Sequence, residues 1–294
     1  MAVPAFVCTE YTPSPALQPY VCSYGHFVST IEQPESGLPP RPDGHCRKSI
    51  FHARDPLVEL APPSGHLTLC FNLGDSFTFS NGSSRVELRA GGHLTGALSQ
   101  RARMALGRRV EFFGVVFRPG RAHAFLGIPT DQLTDRVIPF GDVWGREGKA
   151  LESELLAVPT PAGKVLRLEQ ALLRRLSRAP SSAAGLGAML DFIGRRRGLV
   201  SVEWLSGAGG ISRQHLARKF RQSVGIGPKL FCRVARFHAM LGEAYRQPLD
   251  WAAAAADFGY YDQAHLISEF KEFTGLTPVQ FFRPLVPASA VAAD

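Results

Sequence analysis

Five side chains within one short stretch, Arg213, Gln214, Ala217, Arg218 and Arg221, have the types and spacing needed to read the bases of a nucleic acid. An arginine fork reaches the two acceptors of guanine in the major groove, and glutamine pairs with adenine there in the same way. On a helix these positions share one face, provided that the other face is apolar. Leu216 and Phe220, at i and i+4, supply that apolar face. Between Arg195 and Arg236 ten Lys or Arg stand against one acid, Glu203, a clustering that would follow a phosphate backbone. A solvated helix face is the ordinary explanation for any one such run, so more than charge is needed.

An internal repeat supplies it. Shifted by 50 residues, Ser212 through Phe220 lies over Asp262 through Phe270, Gly225-Ile226-Gly227-Pro228 over Gly275-Leu276-Thr277-Pro278, and Gly209 over Gly259. Ser212 and Asp262 suit an N-cap, and a glycine two or three residues earlier permits a sharp turn out of a preceding helix. Those preceding helices are expected at Val202–Gly207 and Leu249–Asp257, and the capped helices over 212–224 and 262–274. Gly225 and Gly275 suit left-handed C-terminal caps, each with a proline opening the next helix. Helix, turn and outward-facing helix, occurring twice, describe two helix-turn-helix units. The second outward face is Gln263, Ala264, Ile267, Ser268 and Lys271, with little positive charge and with Glu269 beside Ser268. Base reading is therefore expected mostly from the first unit.

Pro228 to Gln247 reads as one helix with Leu230, Val234, Phe237 and Leu241 along a stripe. Twenty residues at about 1.5 Å each span roughly 30 Å, close to the roughly 34 Å between successive major grooves on one side of B-DNA. One rigid connector could hold both recognition helices in adjacent grooves, so that a single chain reads a two-part site. His215 and His265 lie third in their helices beside the caps, where packing or a phosphate contact explains them better than a metal.

The pattern Ser212-x-x-His215-Leu216-x-Arg218-x-Phe220, with Gly225-x-x-Pro228 and Arg236, resembles the first half of the AraC/XylS-type DNA-binding domain. Phe258-Gly259-Tyr260-x-Asp262-Gln263-x-His265-Leu266, Phe270-Lys271, Gly275-Leu276-Thr277-Pro278 and Phe281 resemble its second half. The resemblance runs from about Leu186 to Arg283 and departs at Ser268, where many members carry Arg. It implies a sequence-specific transcriptional regulator that binds double-stranded promoter DNA. The accompanying N-terminal domain would sense a small-molecule effector or dimerise, and RNA polymerase and a second copy of the chain are partners this leaves open.

The elements upstream change character along the chain. Residues 1–145 carry short runs at strand length, Leu67–Leu73, Phe77–Phe79, Val86–Arg89 and Phe112–Phe117, set apart by Gly74-Asp75, Asn81-Gly82, Gly91-Gly92 and Pro119-Gly120 as turn formers. Such spacing indicates an antiparallel sandwich or barrel. Pro42-Asp43-Gly44, Gly114–Gly120 and Leu126-Gly127-Ile128-Pro129 are similar to a region found in many regulators of this family, which implies a cupin-like β-fold. Leucines at helical spacing then mark a helical pair and linker over 146–184, broken at Pro159–Gly163 and at Ala179–Gly185. The expected class is α+β multidomain: an antiparallel β domain with a helical pair, then an all-α DNA-binding domain over 185–284.

Other chemistries find less support. His26, His45, His52, His66, His93 and His123 form no H-x-H or H-E-x-x-H, so neither a metal nor another cofactor is expected. The alternative function class is a cupin-type enzyme tethered by the helical domain, and it lacks a nucleophile–base or metal-ligand constellation. Cys70 and Cys46 could serve as sensing thiols, although buried structural cysteine is more common. Five well-separated cysteines, no apolar run of about 20 residues and no signal-type N-terminus point to a cytoplasmic protein without a membrane segment. The formal charge of +8 favours polyanionic partners.

Overall fold

The computed structural model describes residues 7–30, 51–52, 58–82, 84–178 and 184–282. Pro42-Asp43-Gly44, His45 and Cys46 lie outside them. Eleven strands are described, in order β1 (Val7–Tyr11), β2 (Val21–Thr30), β3 (Phe51–His52), β4 (Val58–Ala61), β5 (Thr68–Asn72), β6 (Phe77–Asn81), β7 (Ser84–Leu88), β8 (Gly91–Thr95), β9 (Ala102–Ala105), β10 (Arg109–Phe117) and β11 (Val137–Pro139). They form two antiparallel sheets, β1-β2-β10-β5-β8-β11 and β3-β4-β9-β6-β7. Phe77, Phe79, Leu98, Val110 and their neighbours fill the space between the sheets. Alternation along β10 buries Val110, Phe113, Val115 and Phe117 on opposite sides of the six-stranded sheet.

Gly91 and Gly92 correct one sequence expectation, because they open strand β8 rather than make a turn. A side chain at Gly92 would meet the Phe71 ring at 2.8 Å, so the residue is needed for a close approach between strand and core.

The outer face of the larger sheet is covered by α1 (His123–Leu126), α2 (Phe140–Ala157) and α3 (Pro161–Leu176). Phe140, Trp144, Leu151, Leu155, Leu168 and Leu172 share one core with Tyr24, Leu69, Phe71 and Phe113. The helical pair thus belongs to the β domain's own core. It begins earlier than the leucine spacing suggests, at Phe140, and Gly145 with φ 60° and ψ −135° breaks it near the start. Arg175 stacks 4.1 Å over the Trp144 ring and donates to Glu147 and to the Phe125 carbonyl, tying α1, α2 and α3 together.

Seven helices follow among the described residues: α4 (Ala184–Arg195), α5 (Val202–Ala208), α6 (Arg213–Val224), α7 (Pro228–Arg246), α8 (Trp251–Asp257), α9 (Gln263–Thr274) and α10 (Pro278–Phe282). Their shared core gathers Leu205, Leu216, Phe220, Phe237, Leu266, Phe270 and Phe273, and one residue of the β domain, Ala97, is buried in it. No helix among the described residues is long and apolar enough to cross a membrane.

Candidate nucleic-acid interface

Each unit is built by the same local chemistry. The Ser212 hydroxyl accepts the His215 amide at 3.2 Å and the Asp262 carboxylate accepts the His265 amide at 2.7 Å, so both recognition helices α6 and α9 start on a side-chain cap. Both end on a left-handed glycine, Gly225 at φ 95° and Gly275 at φ 82°. Leu216, Phe220, Leu266 and Phe270 are fully buried. Those four contacts fix which faces turn outward.

On α6 the outward set is Arg213, Gln214, Arg218 and Arg221, all exposed, with Ala217 half-buried among them. On α9 it is Gln263, Ala264, Ser268 and Lys271, exposed, with Ile267 half-buried. The structure therefore brings each set of sequence-selected residues onto one open helix face. Arg213 lies 3.4 Å from Glu203 of the preceding helix, an exposed pair that positions the guanidinium weakly. Arg218 lies 3.3 Å from the His215 ring, which places that histidine beside a candidate reading residue. The His265 ring accepts from the Tyr261 amide at 3.3 Å. Among the described residues no group of three or more His, Cys, Asp or Glu could hold a metal ion.

Two features were missed in the sequence. The first is a register slip. Scaffold helices α5 and α8 begin 49 residues apart, whereas α6 and α9 begin 50 apart. In the first turn the left-handed residue is Gly210 (φ 60°), with the Ile211 amide donating to the Ser206 carbonyl. In the second it is Gly259 (φ 66°), with the Tyr260 amide donating to Ala255. Tyr260 therefore occupies the place of Ile211, and Tyr261 is an additional residue before the cap. It is 93% exposed.

The second is the role of Glu269. It does not lie on the outward face beside Ser268; it is 2% exposed and faces the connecting helix α7. Arg233 donates to it at 2.7 Å, Arg236 at 3.1 Å and the Tyr260 hydroxyl at 2.8 Å. Burial together with the Glu269 charge pushes the Tyr260 phenol well above its usual range. Arg233 also pairs with Glu272 at 2.6 Å. Two of the ten cations counted in the basic stretch are thus committed to holding α9 against α7, not to following phosphates. The signal available in the sequence was the spacing of Arg233 and Arg236, three apart on one face of α7, opposite a lone acid at an inward position of α9.

Beside these two units the β domain offers less chemistry. Burial pushes the Cys70 thiol up to about 12, so it is protonated at neutral pH and a poor nucleophile. His93, its cross-strand neighbour, is held below the usual imidazole value by burial. The Glu111 carboxyl, pulled upward by burial, is brought below its ordinary range by hydrogen bonds from His26 and Arg109.

Residues 9–139 match the family model for a domain of unknown function (DUF6597), and residues 205–284 match the model for a helix-turn-helix domain. No curated protein matches the chain. Among solved structures, ToxT from Vibrio cholerae aligns over 76% of this chain and 96% of its own, at 9% identity and a TM-score of 0.45. Its unsaturated fatty acid-bound form aligns over 79% and 95%, at 9% identity and the same TM-score. The AraC-like transcriptional activator CuxR aligns over 81% and 82%, at 14% identity and a TM-score of 0.29. Overlays this loose support no transfer of residue roles.

Proposed function

We propose that the chain is a transcriptional regulator of the AraC type that reads a two-part duplex site with α6 and α9 in successive major grooves, a reading supported by the match of residues 205–284 to a helix-turn-helix domain. The observation that carries this reading is the repetition of an N-capped helix with an open outer face, joined by the single 19-residue helix α7. At about 1.5 Å per residue that connector spans roughly 28 Å, of the same order as the groove repeat of roughly 34 Å. Arg213, Gln214, Arg218 and Arg221 supply most base and phosphate contacts. Gln263, Ala264, Ile267, Ser268 and Lys271 supply fewer.

Selection from randomised duplex DNA, followed by anisotropy titration at several salt concentrations, tests it. The expected result is a preferred sequence bound at about nanomolar strength, with affinity falling steeply as salt rises. The role is that of a transcriptional regulator in the cytoplasm, with RNA polymerase as a candidate partner, and not of an enzyme. A purified chain that turned over a small molecule and bound all sequences equally would reverse the reading.

The β domain serves this function by sensing an effector or by dimerising. One observation favours dimerisation: Leu166 and Leu173, seven apart on the outer face of α3, are 58% and 37% exposed, and Leu156 of α2 is 45% exposed. Light scattering should find a dimer in the native chain and a monomer in Leu166→Glu. A dimer that survived Leu166→Glu would move the interface to another face, and a monomeric native chain would leave effector sensing as the domain's role.

A further inference from the structure

The last carbonyls of a helix have no partner within it and must find donors elsewhere. At the C-terminal ends of both recognition helices the β domain adds donors, although the Lys271 carbonyl of α9 also accepts the Gly275 amide at 2.7 Å. The Thr130 hydroxyl donates to the Gln222 carbonyl at 3.1 Å and the Thr134 hydroxyl to the Gly225 carbonyl at 2.7 Å, at the end of α6. The Arg101 guanidinium donates to the Lys271 carbonyl at 3.2 Å, at the end of α9. Gly225 and Gly275 are the equivalent caps of the two repeats. A side chain at Gly225 would lie 2.8 Å from the Thr134 hydroxyl, and one at Gly275 would lie 3.3 Å from the Arg101 guanidinium. One domain therefore grips the same point on both units, at the ends away from the N-capped ends.

The two gripping segments are bolted to each other. The Asp135 carboxylate accepts the Ser99 amide at 2.7 Å and the Asn81 side-chain amide at 3.1 Å, and the Ser99 hydroxyl donates to its second oxygen. The Asp135 amide donates to the Ala97 carbonyl at 2.9 Å. Asp135 sits at φ 59°, a left-handed conformation that costs a non-glycine residue energy and that Asp and Asn tolerate better than most. Ala97, two residues before Ser99, is the β-domain residue buried in the helical core. The segments around 97–101 and 130–135 thus form one block, anchored to β6 through Asn81 and seated against both recognition helices.

We propose that this block is a gauge: the β domain sets the relative orientation of α6 and α9, and Asp135 is the positioning residue that keeps the gauge rigid. The inference rests on the DNA-reading function and adds what decides the distance between the two half-sites. Glu269 fixes α9 to α7 from within the helical domain, whereas Asp135 fixes the far ends of both recognition helices from outside it. Neither Asp135 nor the residues it joins reaches the reading faces, so its loss should spare the reading of each half-site and relax the coupling between them.

The test uses the full chain and the duplex that the native chain selects from randomised DNA. That site is rebuilt with half-sites moved by one to three base pairs from their native separation of about one helical turn, and as single half-sites. Because the second unit binds as a tethered partner, the native chain should prefer the native spacing to a single half-site by about a hundredfold. Asp135→Ala should bind single half-sites like the native chain, prefer the native spacing by less than about tenfold and tolerate the shifted ones. Asp135→Asn, which keeps the acceptor and the backbone conformation, should restore the preference. Thr134→Val combined with Arg101→Ala should reproduce the relaxed behaviour without touching the bolt, and it decides the matter if Asp135→Ala fails to fold. An unchanged spacing preference in both variants would overturn the gauge, as would half-site and two-part affinities that fall in parallel. A native chain that selected no sequence at all would instead overturn the DNA-reading function itself.

Discussion

In the first helix-turn-helix unit, α6 is held by Leu216 and Phe220 and turns Arg213, Gln214, Arg218 and Arg221 outward. In the second, α9 is held by Leu266 and Phe270 and also by a buried carboxylate, Glu269, clamped between Arg233 and Arg236. The first unit spends its cations on the surface and the second spends its neighbours' cations on the interior. The contrast separates two requirements of a two-part reader. Base recognition needs donors in the open, where the first unit has them. A fixed distance between readers needs a stiff joint, and a buried, multiply hydrogen-bonded ion pair resists sliding in a way that apolar contacts do not. The extra turn residue Tyr261 belongs to the same contrast, since it resets where α9 begins relative to its scaffold helix.

Substitutions at matched positions would break or sharpen this comparison. The largest effect is expected at Glu269→Ala, which takes the carboxylate from Arg236 beside an apolar core and leaves Arg233 with Glu272 alone. Removing one partner of a buried pair typically costs about 3–5 kcal/mol, and the partial exposure of both arginines places this case near the lower end, at about 3 kcal/mol. Denaturant titration should show it. A loss below ~1 kcal/mol would make the clamp no stronger than a surface pair.

Next come the left-handed glycines of the two turns. Gly210→Ala meets only the backbone cost, about 1–2 kcal/mol, because no atom lies within 4 Å of the added carbon. Gly259→Ala should cost more, because its new carbon would lie 2.5 Å from Leu199. Equal melting shifts for the two would contradict the packing described around Leu199.

In binding, Arg218→Ala should lose about 1–3 kcal/mol of specific affinity, while Ser268→Ala loses less than ~0.5 kcal/mol. Anisotropy titration on the selected duplex measures both, and the reverse ranking would transfer the reading role to the second unit. The smallest contrast is in the caps. Ser212→Ala and Asp262→Ala should each cost about 1 kcal/mol in stability, and a cap that proved silent would show that its helix is held by the core alone.

Much of the helical domain was legible because its signals are local. An N-cap residue, an i, i+4 apolar pair and a C-terminal glycine determine a short helix within a dozen positions, so α6, α7 and α9 fall within one residue of their expected bounds. The β domain was less legible. Strands β5, β6, β7 and β10 carry visible runs, but Gly91-Gly92 read as a turn, because a glycine pair in a strand is explained only by Phe71 and Phe140 packing over it. The helical pair was legible as two helices with a buried face, but leucine spacing does not show what buries it, which is the core around Tyr24, Leu69, Phe71 and Phe113.

The sequence by itself determined that two capped helices would present outward faces, and which side chains those faces would carry. Cap chemistry and apolar periodicity act over one or two turns, within reach of neighbouring residues. Tertiary structure alone decided how the two faces are held relative to one another. That depends on Glu269 meeting Arg233 and Arg236 more than thirty residues away, and on Thr130, Thr134 and Arg101 meeting helix ends 91 to 170 residues distant. No local rule pairs those residues, because hydrogen bonds and ion pairs at such separations exist only once the chain has folded around its three cores.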